Sequence, residues 1–119
     1  MSNAELEARS KKFALAIIEL VGRLPPGKTA DIVGRQLLRS ATSIGANYRE
    51  ANRAESRNDF VHKIEVATKE ASETGYWLEI INESPRLRTS GITNVLRESQ
   101  ELLAIFATIG RNAKRPKPI

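Results

Sequence analysis

Residues 37–53 read LLRSATSIGANYREANR and carry two patterns on one predicted helix. Apolar side chains recur there at intervals of three or four residues: Leu37, Ala41, Ile44, Tyr48 and Ala51. Because successive residues of an α-helix are about 100° apart, these side chains share one face. That face is predicted to pack against a hydrophobic core.

The opposite face of the same helix is lined with arginine. Its members, called the arginine stripe below, are Arg35, Arg39, Arg49 and Arg53. They lie within about 40° of one line and extend over roughly 27 Å, and acidic residues occur only near the edges of that line. Because the guanidinium fork suits phosphate and carboxylate, the stripe is predicted to bind an anionic partner. The alternative is a solvated cationic face that keeps a small protein soluble.

The composition bounds the class of protein. A chain of 119 residues is expected to form one domain with its own core. The absence of cysteine excludes disulfides, thiol nucleophiles and thiolate metal sites, and it favours a cytoplasmic location. The longest wholly apolar run, 13–18, is far shorter than a membrane span, so no membrane partner is expected.

The net charge of +5 is distributed unevenly. Residues 28–53 carry five basic and two acidic side chains, residues 54–83 carry three and seven, and residues 111–119 carry four and none. The molecule is therefore predicted to have basic surfaces suited to nucleic acid and an acidic helix suited to a basic neighbour.

Hydrophobic periodicity predicts four helices, at about 4–24, 29–54, 57–83 and 90–110. They are separated by short breaks, and we find no strand pattern. The expected fold is all-α, an up-down-up-down antiparallel four-helix bundle. Residues 111–119 are basic and proline-containing and are predicted to be a flexible tail.

Local signals set the predicted helix ends. Thr29 is the expected N-cap of the second helix, Ser56 that of the third, and Thr89 or Ser90 that of the fourth. Gly110 is expected to end the fourth helix.

A run of small residues surrounds Gly45 in the second helix. Glycine inside a helix costs about 1 kcal/mol relative to alanine, so close approach of another helix is expected there. Ser40, Ser43 and Asn47 are predicted to donate or accept hydrogen bonds across that contact.

The sequence offers little for catalysis. His62 is the only histidine, and the paired Glu-x-x-His motifs of di-iron bundles are missing. Glycine-rich phosphate loops are also missing. We therefore expect no enzyme activity, no cofactor and no metal.

Three segments resemble a known family: RSATSIGANYREA at 39–51, DFVHKI at 59–64 and KEASETGYWLEII at 69–81. The chain is similar to bacterial proteins encoded within intervening sequences of large-subunit (23S) ribosomal RNA genes, a family that includes accessory variability proteins of diversity-generating retroelements. The resemblance implies a four-helix bundle that forms a basic ring of five subunits. It also implies binding of nucleic acid or of a reverse transcriptase, without known catalysis. The residues that match family structural positions are Ser40, Ser43, Asn47, Glu70 and Glu73.

These observations predict a non-enzymatic nucleic-acid-binding protein that acts as a homo-oligomer on RNA or DNA. The predicted phosphate contacts are the arginine stripe together with four residues beyond it: Arg57, Arg111, Lys114 and Arg115. The alternative is a protein-interaction scaffold whose arginines bind an acidic partner, a reverse transcriptase or the neighbouring subunit.

Overall fold

The computed structural model describes residues 1–115. Four helices account for most of this range: α1 (Asn3–Gly22), α2 (Lys28–Ala51), α3 (Arg57–Glu83) and α4 (Ile92–Lys114). No strand occurs among residues 1–115. The helices pack in the cyclic order α1, α2, α3, α4, so α1 and α3 lie on one diagonal of the bundle. The predicted antiparallel four-helix bundle is confirmed.

The predicted ends of α3 are confirmed. Ser56 is its N-cap, and the Ser56 hydroxyl accepts a hydrogen bond of 3.0 Å from the backbone N–H of Asp59. The helix stops at Glu83, immediately before Ser84 and Pro85. Proline disfavours helical backbone in the residue that precedes it, which fits an end at this point.

The predicted caps of α2 and α4 are wrong. Thr29 lies inside α2, whose N-cap is Gly27, and Gly91 is the N-cap of α4. Both glycines have positive φ and offer no side chain to accept a hydrogen bond. Thr89 has another use, because its hydroxyl donates to the carbonyl oxygen of Arg23 and so joins the two loops at this end of the bundle.

The predicted end of α4 at Gly110 is also wrong, since the helix continues to Lys114. Gly110 is buried beside α3, where a Cβ would lie 3.6 Å from the Ile64 side chain. Its small size serves helix packing rather than helix termination. Residues 111–114 of the predicted tail are therefore helical, and residues 116–119 lie outside the described range.

The hydrophobic core runs the length of the bundle. Its largest fully buried apolar side chains come from all four helices: Ile17, Leu20, Leu37, Ile44, Ile64, Leu78, Ile81, Leu102 and Phe106. The five apolar residues assigned to the core face of the 37–53 stretch are buried, as predicted. An ion pair also joins α1 to α4, where Arg9 donates to both carboxylate oxygens of Glu98 at 2.7 Å.

Small residues bring α2 close to both of its neighbours. A Cβ on Gly45 would lie 3.3 Å from that of Ser10 in α1, so the predicted close approach is confirmed. On the α3 side, Thr74 donates a buried hydrogen bond of 2.9 Å to the hydroxyl of Ser40.

Ser43 and Asn47 do not make the predicted contacts between helices. The Ser43 hydroxyl donates to the carbonyl oxygen of Arg39, and the Asn47 amide donates to that of Ser43. Both side chains bond to a carbonyl one turn earlier in their own helix. Such local bonds are common for serine and asparagine in helices.

The two ends of the bundle are capped differently. At one end, α1 and α3 begin with Ser2 and Ser56, which both accept a backbone N–H. At the other end, α2 and α4 begin with Gly27 and Gly91. We call these the serine-capped end and the glycine-capped end.

Candidate nucleic-acid interface

Arg39 of the arginine stripe is paired with α3. Arg39 Nη1 lies 3.1 Å from Glu70 Oε2, and Arg39 Nη2 contacts Glu73 Oε2. The same Glu73 oxygen accepts a hydrogen bond of 3.1 Å from the indole N–H of Trp77. The Trp77 hydrogen bond, followed by that from Arg39, lowers the pKa of Glu73, and the bond to Glu73 is the main cause that raises the pKa of Arg39.

The second half of the stripe is paired with α1. Glu7 places one carboxylate oxygen 3.5 Å from Arg49 Nε and the other 3.5 Å from Arg53 Nη1. The side-chain amide of Asn52 donates a further hydrogen bond of 2.8 Å to Glu7. This hydrogen bond, with the charges of Arg53 and Arg49, lowers the pKa of Glu7. One carboxylate is therefore shared by two of the predicted phosphate-binding arginines.

Arg35 differs from the other three. No carboxylate among residues 1–115 lies within 4.0 Å of its guanidinium, although Asp31 lies one turn earlier and lines the same shallow cavity. Arg39 and Arg49 lie about 80° apart around the helix, so one leans toward α3 and the other toward α1. The stripe thus divides between two neighbours instead of forming one free face.

A second basic surface runs between α3 and α4. Two cavities of about 540 and 440 Å³ adjoin there and share Glu65 and Lys114 in their walls. We call them together the α3/α4 groove. Small side chains, including Ser72, Ala107 and Gly110, keep the groove open.

The charge of this groove is strongly positive. Glu65 is its single acidic residue among those described, and the basic residues are Arg57, Lys69, Arg111, Lys114 and Arg115. Five basic and one acidic side chain give a net charge of +4 with His62 neutral. Electrostatics at this surface therefore favour a polyanion.

The groove cations are less fully compensated than those of the stripe. Lys114 Nζ lies 3.2 Å from Glu65 Oε2, and Arg111 donates to the neutral Thr108 hydroxyl at 3.1 Å. Arg57 donates to the carbonyl oxygen of Ala113, at the end of α4. Within residues 1–115, Lys114 is the groove cation that has a carboxylate within 4.0 Å.

The structure divides the eight predicted residues into two sets. It brings Arg57, Arg111, Lys114 and Arg115 together in the α3/α4 groove, and it places the stripe elsewhere. Sequence reasoning missed Lys69, which lies in the predominantly acidic segment 54–83.

It also missed Glu7 as a partner of the stripe. Glu7 directly follows the core residue Leu6, at a position that flanks the buried seam of α1. Such flanking positions commonly carry charges that pair between helices. The position of Glu7 beside the buried seam could therefore have predicted that it pairs with a basic residue of a neighbouring helix.

In residues 1–115, no helix is both long and apolar enough to cross a membrane. The same range contains no cluster of three or more histidine, aspartate or glutamate side chains arranged to hold a metal ion.

Comparison with known proteins gives the family. The chain is similar to a crystal structure of a protein of unknown function, from the S23 ribosomal protein family of Bacteroides thetaiotaomicron VPI-5482. The two share 35% sequence identity and a TM-score of 0.83, over 93% of this chain and 99% of that one. No functionally curated protein matches. The family model described as 23S rRNA-intervening sequence protein matches residues 3–108, and the chain therefore belongs to that family.

Proposed function

We propose that this protein is a non-enzymatic nucleic-acid-binding accessory protein that contacts phosphates along the α3/α4 groove. The observation that carries the proposal is the net charge of +4 in two adjoining cavities. On α3 the groove extends from Arg57 to Ser72, which corresponds to roughly 22 Å of helix. That length matches about six phosphates of one strand at ~3.4 Å each.

The groove suits the backbone of a nucleic acid better than its bases. Arginine forks and lysine ammonium groups bind phosphate oxygens, and these contacts carry no sequence information. Phenylalanine, tyrosine and tryptophan are absent from the described residues that line the groove, and His62 supplies its single aromatic ring there, so base stacking contributes little. We therefore expect weak sequence preference and strong salt dependence.

The arginine stripe has a secondary role in this proposal. Arg35 is available to phosphate, whereas three stripe arginines must first exchange a carboxylate of their own chain. A homo-oligomer, which the family resemblance suggests as a ring of five, would repeat the groove and add avidity.

The test compares two variants that each lose four positive charges. One carries Lys69→Gln, Arg111→Gln, Lys114→Gln and Arg115→Gln, and the other carries glutamine at every stripe arginine. Labelled single-stranded and duplex RNA and DNA are titrated at several salt concentrations, and circular dichroism checks folding. Each phosphate contact contributes a salt slope of about 0.7 to 0.9, so the groove variant should lose about 3 units of slope. The stripe variant should lose about 1.

Two results would overturn the proposal. A larger loss in the stripe variant would move the binding surface to α2. Absence of binding to every probe by folded wild-type protein would remove the nucleic-acid function itself.

A protein-interaction scaffold is the second candidate. Arg39 already holds two carboxylates, so the stripe geometry suits acidic side chains as well as phosphates. An acidic partner protein or a reverse transcriptase would bind by replacing Glu70 and Glu73. A complex that survives nuclease treatment and is lost in the stripe variant would favour this function.

A further inference from the structure

Helix α1 carries a second seam that the bundle does not bury. Its residues follow the heptad spacing four, three, four, three, four and are all exposed: Ala4, Ala8, Lys11, Leu15, Ile18 and Gly22. Leu15 is 56% exposed and Ile18 is 48% exposed. Leu15 lies about 180° from the buried face of the same helix. A solvated helix face is normally polar, so this outer seam has the pattern of a helix-packing surface.

Helix α3 carries the complementary exposed feature. Tyr76 is 56% exposed and points roughly 170° away from the core face of α3. Its ring packs edge-on against Trp77 at a centroid distance of 5.2 Å. Tyr76, Ile80, Glu79 and Glu83 line a cavity of about 380 Å³, which we call the Tyr76 patch.

One molecule cannot bring these two surfaces together. Helices α1 and α3 occupy one diagonal of the bundle, and in the described range their backbones are not adjacent to each other. Their exposed features face outward from opposite corners. Any contact between the outer seam and the Tyr76 patch must therefore join two copies of the chain.

The two surfaces lie at the same height along the bundle. Ser10 of α1 faces Gly45 of α2. The two helices are antiparallel, so five residues forward in α1 correspond to five residues back in α2. Leu15 is therefore level with Ser40. Ser40 bonds to Thr74 of α3. Thr74 is two residues from Tyr76, an axial offset of about 3 Å.

A contact between features at equal height adds little translation along the bundle axis. Head-to-tail contacts of this kind generate closed rings when the rotation closes, whereas a translation would produce an open filament.

The C-terminal half of the outer seam and the Tyr76 patch are flanked by charges of opposite sign. Along residues 11–23, the basic Lys11, Lys12 and Arg23 outnumber the acidic Glu19, whereas Glu79 and Glu83 border the Tyr76 patch. Arg23 is level with Glu83, by the same counting along antiparallel helices. Opposite fields steer two copies into this orientation and disfavour contact between two identical patches.

We propose that the outer seam of α1 docks on the Tyr76 patch of a second copy of this chain. Leu15 and Ile18 contact Tyr76 and Ile80, and the lysines and Arg23 face the acidic border. This contact deepens the oligomeric part of the proposed function by naming the surfaces that meet. It does not depend on nucleic acid.

The test measures mass in solution on nuclease-treated protein over a concentration series. Leu15→Glu with Ile18→Glu breaks the seam, and Tyr76→Glu breaks the patch. Each variant should shift the dissociation constant for self-association upward at least tenfold, toward the monomer mass of 13.2 kDa. Ile32→Glu is the matched control, because Ile32 is also 48% exposed but lies on α2 outside both surfaces. It should associate as the wild type does.

The decisive measurement mixes the seam variant, Leu15→Glu with Ile18→Glu, and the patch variant, Tyr76→Glu. The patch of one and the seam of the other remain intact, so an equal mixture should form pairs of twice the monomer mass and nothing larger. A wild-type monomer, or a mixture that stays monomeric, would overturn the proposal.

Wild-type self-association of the Tyr76→Glu variant would also overturn it. The seam would then bind a surface other than the Tyr76 patch, such as the seam of a second copy. Salt titration of nucleic acid with the monomeric variants keeps the two proposals separate. Binding that persists there supports the groove even if the docking contact fails.

Discussion

The arginine stripe and the α3/α4 groove contain the same kinds of side chain but differ in what faces them. Glu7, Glu70 and Glu73 project from neighbouring helices onto the stripe. The groove has Glu65 alone among the described residues. The sequence of one helix shows that its arginines form a row. Carboxylates on the neighbouring helices determine how many of those arginines are available to bind an anionic partner.

The largest expected effect comes from placing one carboxylate in each region. Ala107→Glu puts an acid in the groove one turn before Arg111, and Ala46→Glu puts one in the middle of the stripe. At about 0.05 M salt each phosphate contact is worth roughly tenfold in affinity, so Ala107→Glu should weaken nucleic-acid binding about tenfold. Ala46→Glu should change it less than threefold. Fluorescence anisotropy with one RNA probe measures both, and equal losses would erase the distinction between the regions.

A smaller effect is expected from releasing the stripe. Glu7→Gln removes the carboxylate that holds Arg49 and Arg53, so these arginines become free to bind phosphate. Affinity at low salt should rise a few-fold and the salt slope should steepen by about 1. Glu19→Gln makes the same charge change on α1 without releasing an arginine, and it should leave the slope unchanged. Equal gains in the two variants would show that net charge alone matters.

The smallest expected effect is a change in Trp77 fluorescence when Glu73, the partner of Arg39 in the stripe, is protonated at low pH. Trp77 is the single tryptophan, and it donates to Glu73. Because the folded-state pKa of Glu73 lies below its ordinary value of 4.5, the stabilisation from this carboxylate is complete above that value. It is lost as the pH falls through the lowered pKa. Trp77 fluorescence should change with a midpoint below 4.5 in the wild type and show no such step in Glu73→Gln; a midpoint above 4.5 would contradict the assignment.

The sequence predicted the fold well where one helix carries its own signal. The hydrophobic periodicity of residues 57–83 and the Ser56 cap locate α3, and the apolar face of α2 identifies its buried residues. The end of α4 was missed because Gly110 has two possible meanings. A glycine can stop a helix or admit a neighbouring one, and only the position of Ile64 decides between them.

The candidate site was predicted less completely, for a related physical reason. Helical-wheel arithmetic locates Arg39 and Arg49 on their own helix but not the carboxylates that meet them from α3 and α1. It also cannot show that Lys69 and Arg111, on different helices, line one cavity. Only the contacts between helices show which basic residues pair with a carboxylate of their own chain and which remain available to bind phosphate.

The unequal caps of the bundle have a consequence for its motions. At the glycine-capped end, the first turns of α2 and α4 have no side chain to accept their free N–H groups. Helix ends without such acceptors fray more readily. Amide hydrogen exchange should therefore begin at that end and reach the serine-capped first turns of α1 and α3 later. We therefore expect the glycine-capped end to open before the serine-capped end, where the groove begins at Arg57.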